Sequence, residues 1–100
     1  MKAYWLENAE ARAKRTNYKI APAERRYHLP VNGLVRLVFL DSTGGSAERL
    51  WVRVKMAVAE EGRLRYHGTL ETSSKQHEVA KGDRVTFGPE HVVDVITPLI

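Results

Sequence analysis

The chain has 100 residues, 43% of them hydrophobic, which sets a single domain with one modest core. It contains no cysteine, which excludes a disulfide framework and any thiolate metal site and agrees with a cytoplasmic location. Sixteen Lys and Arg against twelve Asp and Glu leave a net charge of +4, compatible with an anionic partner and equally with ordinary solubility.

Residues 3–15 are rich in strong helix formers. Leu6, Ala9 and Ala13 fall on one stripe, Glu10 precedes Lys14 by one turn, and basic residues close the segment where the helix dipole favours cations. The pattern predicts a short amphipathic helix. Tyr4, Trp5 and Leu6 are adjacent, so they cannot all face one core. Either Trp5 and Leu6 anchor the helix, or an aromatic ring is left for a partner protein or a second copy of the chain.

Residues 16–33 read as a connector. Tyr18 and Ile20 alternate with polar neighbours, Pro22 suits the first turn of a helical segment over 21–26, and Leu29-Pro30 ends it. Asn32-Gly33 marks a turn into a strand over 34–40, whose near-continuous apolar character predicts contact on both faces. Residues 41–46 have the composition of a flexible loop.

Residues 48–71 form the predicted centre, a long β-hairpin. Leu50, Val52, Val54, Met56 and Val58 alternate with Trp51, Arg53, Lys55 and Ala57, which predicts one buried face. Glu60-Glu61-Gly62 makes the turn. Leu64, Tyr66, Gly68 and Leu70 then alternate with Arg63, Arg65, His67 and Thr69. Residues 71–81 carry no assignable pattern. Gly82-Asp83 turns into a strand over 84–87, Gly88-Pro89 breaks it, Glu90-His91 suits a single 3-10 turn, and 92–96 is the last strand.

These elements predict a mainly β (α+β) domain: a small SH3-like, partly open antiparallel barrel of about five strands over 34–97, with the N-terminal helix covering an open side. The expected core is Leu37, Phe39, Leu50, Val52, Val54, Leu64, Tyr66, Leu70, Val85, Phe87, Val92 and Val95.

Residues 16–95 also resemble a set of small, largely uncharacterised bacterial domains that occur on phages and plasmids. The resemblance rests on Glu48-Arg49-x-Trp51-Val52 and on Gly82-Asp83-x-Val85-x-Phe87-x-x-x-His91-Val92, with supporting pieces at 16–20, 24–26, 33–39 and 66–70. It implies an architecture and no established activity.

Catalytic and metal chemistry find little support. His28, His67, His77 and His91 lack the short spacing of a metal motif. His91 and Asp94 are three apart, as in many turns, and Gly44-Gly45 lacks the lysine of a phosphate loop. A small enzyme would need His67, His91 and Asp94 gathered in one pocket. No apolar run approaches the ~20 residues of a membrane span, and no signal-peptide core is seen. No enzymatic activity, cofactor or membrane partner is therefore expected.

Positive charge is the suggestive feature. Arg36, Arg53, Lys55, Arg63, Arg65 and Arg84 fall at outward strand positions, where neighbouring strands would gather them with Trp51. Such a face suits phosphate contacts and base stacking. The competing reading is a set of solvated edge charges with Trp51 buried under the N-terminal helix. The expected function is a binding module for nucleic acid or another polyanion. The alternative is a phage- or plasmid-type accessory factor that binds a host protein.

Overall fold

The computed structural model describes residues 4–41, 47–74 and 79–97. Strand β1 (Tyr4–Leu6) leads into helix α1 (Ala9–Arg15), and the short helix α2 (Ala23–Arg26) follows. Strands β2 (Leu34–Asp41), β3 (Ala47–Glu60), β4 (Arg63–Leu70) and β5 (Arg84–Phe87) come next, and a 3-10 turn (Pro89–His91) opens β6 (Val92–Ile96). All strand pairs are antiparallel, in the order β1-β2-β3-β4-β5. Strand β6 pairs with β2 through Leu34–Leu37, on the edge that β1 occupies further along through Phe39–Asp41. The result is a curled, open antiparallel half-barrel with a helix near the N-terminus. No described helix is long and apolar enough to cross a membrane.

The hairpin forms for local reasons. Glu61 and Gly62 both take positive φ, 51° and 75°, as a two-residue turn matched to strand twist requires. Along the strands, Leu50, Val52, Val54, Tyr66 and Leu70 point into one core with Val35, Leu37, Phe39, Val85, Phe87 and Val92. Ten of the twelve expected core residues are buried there, and Leu64 and Val95 pack at its margin. At roughly 1.5–3 kcal/mol per fully buried side chain, this cluster is the main source of stability. The other face of β2 is apolar too: Val38 joins Ala9 of α1 and Val93 in a second cluster, so β2 has contact on both faces as its composition predicts.

Two expectations are corrected. The predicted helix over 3–15 begins only at Ala9, because the Asn8 Oδ1 accepts the Ala11 N–H at 2.9 Å and fixes the cap. Before it, Tyr4–Leu6 is a strand, as aromatic residues beside a free sheet edge favour. The Tyr4 ring packs 4.7 Å from that of Phe39, while Trp5 is 64% exposed. Second, Met56 and Val58 do not continue the buried face of β3. The register shifts between Val54 and Met56, so a β-bulge at Lys55 turns the rest of the strand over. Opposite the bulge stands Gly68, where a Cβ would lie 2.6 Å from the Arg53 carbonyl oxygen. The predicted loop over 42–46, with its Gly44-Gly45, and His77 lie outside the described residues.

Candidate polyanion-binding face

The pleat and the bulge together decide which side chains share the outer face of the sheet. Asp94, Arg36 and Trp51 lie in one row across β6, β2 and β3. Leu34, Arg53, Thr69 and Arg84 make the next row across β2, β3, β4 and β5. Beyond the bulge, Met56, His67 and Thr86 form a third, then Val58 with Arg65, and Glu60 with Arg63 at the hairpin end. The seven predicted residues thus fall on one connected sheet surface, and they divide by what they touch.

Three of the arginines are engaged by acids. The Arg36 guanidinium donates to Asp94 through Nε at 2.8 Å and Nη2 at 2.7 Å, and it lies 4.7 Å over the Trp51 ring. Trp51 is half-buried, and the Arg36 guanidinium lies over one face of its ring, so that face is already occupied. Arg53 donates to Glu71 at 2.5 Å and to the Asn32 carbonyl at 2.8 Å. Arg65 reaches the 3-10 turn and donates to Glu90 at 2.8 Å. Burial pushes the Glu90 carboxyl up, but the Arg65 hydrogen bond, a backbone N–H and the nearby charges of His91 and Arg65 outweigh it and leave its pKa lowered.

Lys55, Arg63 and Arg84 differ. All three are exposed, and none has an acidic group within 4 Å among the described residues. Lys55 and Arg84 flank a depression of about 220 Å³ whose remaining lining is Met56, His67, Gly68 and Thr69. The bulge shapes this hollow: Lys55 faces outward by alternation from Val54, and the register shift brings Met56 to the same face beside it. Arg63 stands apart at the hairpin tip. Sequence reasoning missed Met56 and Thr69 as lining residues, because simple alternation places Met56 inside. The Arg12 and Arg49 guanidinium groups, outside the predicted set, flank Tyr18 at 4.9 and 5.3 Å from its centroid, Arg12 being paired with Glu7 at 3.0 Å.

The candidate acid–base residues have separate engagements. His67 faces Glu60 at 3.4 Å, Asp94 holds Arg36, and the His91 Nδ1 accepts the Gly88 N–H at 3.0 Å. Among the described residues, no three His, Asp or Glu side chains converge as metal ligands would.

The motif pieces noted in the sequence have structural work in this fold. Val85, Phe87 and Val92 sit in the core and His91 caps the turn at Gly88. No protein-family model, curated protein or solved structure matches the chain.

Proposed function

We propose that the protein is a non-enzymatic binding module whose outer sheet face takes phosphate groups of a nucleic acid or another polyanion at the depression flanked by Lys55 and Arg84. The observation that carries this reading is the division among the cations. Arg36, Arg53 and Arg65 are neutralised by Asp94, Glu71 and Glu90, while Lys55 and Arg84 flank a hollow that has no carboxylate in its lining. A phosphate there would meet two cations with the Thr69 hydroxyl and His67 as further hydrogen-bonding groups. Trp51 serves as the seat of Arg36 more than as a stacking platform for a base. We also propose kinship with the small bacterial, phage and plasmid domains that the chain resembles.

Fluorescence anisotropy with short labelled DNA and RNA, in rising salt, tests the function. Binding is expected at low ionic strength and weakens as salt rises, since phosphate contacts release counterions. Lys55→Ala and Arg84→Ala are each expected to weaken it more than Arg36→Ala does. Absence of binding at low ionic strength, or binding indifferent to salt, overturns the reading.

A further inference from the structure

Strand β3 outruns its neighbour. Strand β2 accompanies it only as far as Arg53, opposite Leu34. The Asn32 N–H then donates to the Val54 carbonyl at 2.8 Å, and the Val54 N–H donates to the Gly33 carbonyl at 2.9 Å. Past that point β3 pairs with β4 alone, and among the described residues its other edge meets no backbone partner. Because the hairpin closes with a two-residue turn, Glu60 and Arg63 form its last hydrogen-bonded pair. Alternation then sends the backbone groups of Val58 toward β4 and those of Ala57 and Ala59 toward the open edge.

Open edges are usually blunted by charge, proline or a covering segment. Strand β6 shows the device: the Ala21 N–H donates to the Val93 carbonyl at 2.8 Å, and Arg25 donates to the Val95 carbonyl at 3.3 Å and to the Thr97 hydroxyl at 3.1 Å. The β3 edge carries Met56, Ala57, Val58 and Ala59, with no charge and no proline among them. Met56 is 50% exposed, and both alanines are exposed.

We infer that the edge from Lys55 to Glu60 pairs antiparallel with the same segment of a second copy of this chain, joining two half-barrels into one continuous sheet. The charges choose this occupant. A cation stands at one end of the edge, Lys55, and two acids at the other, Glu60 and Glu61. Antiparallel pairing about a two-fold axis at Val58 brings Lys55 of each copy toward Glu60 and Glu61 of the other; a parallel arrangement would set like charges together. In that register Ala57 and Ala59 exchange backbone hydrogen bonds with Ala59 and Ala57 of the second copy. Val58 meets Val58 on the outer face. The two alanines let the backbones approach closely. An axis normal to the sheet keeps both outer faces on one side, so the two depressions would face the same way. The inference rests on the edge, not on the polyanion reading, and either can fail alone; where both hold, the second copy's acids and a bound phosphate compete for Lys55.

Sedimentation velocity of the full chain, from low micromolar to near-millimolar concentration, tests it. A reversible monomer–dimer equilibrium is expected. Ala59→Pro removes only a donor aimed at the open edge and is expected to weaken association about tenfold or more with its circular dichroism intact. Lys55→Glu is expected to weaken it, and the triple variant Lys55→Glu, Glu60→Lys, Glu61→Lys to restore it. Should the variants fail to fold, amide exchange of the native chain decides. The Ala57 and Ala59 N–H groups are expected to exchange more slowly as concentration rises, while that of Val58 is unchanged. A monomer at every concentration, a dimer indifferent to Ala59→Pro, exchange at Ala57 and Ala59 that ignores concentration, or an edge taken up only by a peptide of another protein overturns the proposal.

Discussion

Val54 and Met56 stand two residues apart on one strand and face opposite sides of the sheet, 1% and 50% exposed. Two-residue spacing in an unbroken strand would put them on the same side. The bulge at Lys55 separates them, and it divides β3 into a core half and a projecting half. It also brings Met56 to the hollow between Lys55 and Arg84, at the point where β3 runs on past the end of β2.

Stability should therefore change abruptly along β3. Val54→Ala is expected to cost about 2 kcal/mol, through lost burial and the cavity left behind. Met56→Ala is expected to stay within about 0.5 kcal/mol of the parent, as an exposed position does. Denaturant titration of both variants measures this. Equal losses would mean that Met56 belongs to the core.

Gly68 is expected to tolerate no side chain. A Cβ there would approach the Arg53 carbonyl oxygen at 2.6 Å and the Val52 Cγ1 at 2.7 Å, both in the middle of the sheet. Gly68→Ala is expected to cost about 2 kcal/mol, the scale of overpacking in a close-packed interior, and to lower Tm in a thermal melt. An unchanged melt would show that the strands separate there easily.

The Arg26 side chain ties three segments together. It is buried, donates to the Ala21 carbonyl at 2.7 Å and the Pro89 carbonyl at 3.1 Å, and pairs with Glu10 of α1. Its own carbonyl accepts the Tyr66 hydroxyl at 3.0 Å. Arg26→Ala leaves two carbonyls without this donor and the Glu10 carboxylate without its cation, and is expected to cost about 3 kcal/mol in denaturant titration. A loss below about 1 kcal/mol would place the cohesion of α1, α2 and the 3-10 turn elsewhere.

Acid should loosen the contact between β4 and the 3-10 turn. The Glu90 pKa lies below its ordinary 4.5 in the folded chain. A depressed carboxylate contributes stability at pH above its unfolded value, and that contribution disappears as pH falls through the folded value. Denaturant titrations across the range just below 4.5 are expected to show native stability falling more steeply than that of Glu90→Gln. Parallel curves would mean that the Arg65 pair gives Glu90 no preference for its charged form.

The core and most element boundaries were legible in the residues because they depend on short-range pattern. The Glu61-Gly62 turn, the alternation up to Val54 and the run Gly82–Ile96 each carry their own local signal. The bulge carried none: Lys55 and Met56 continue the alternation of residue types, and only the close approach to Gly68 shows why the register slips. The start of α1 is hidden in the sequence because helix propensity over 3–15 outweighs the cap signal of Asn8. Alternation alone puts the cations on the outer face, but their pairing depends on contacts distant in sequence. Asp94, Glu71 and Glu90 lie 58, 18 and 25 residues from Arg36, Arg53 and Arg65.

The most direct measurement of the central claim is the salt dependence of binding to a short single-stranded oligonucleotide, for the native chain and for Lys55→Ala/Arg84→Ala. The hollow predicts a slope of log affinity against log salt that becomes shallower by about 0.7 in the double variant, the amount for the one phosphate that is no longer neutralised. A slope the same in both proteins, or no binding by the native chain at low salt, would contradict it.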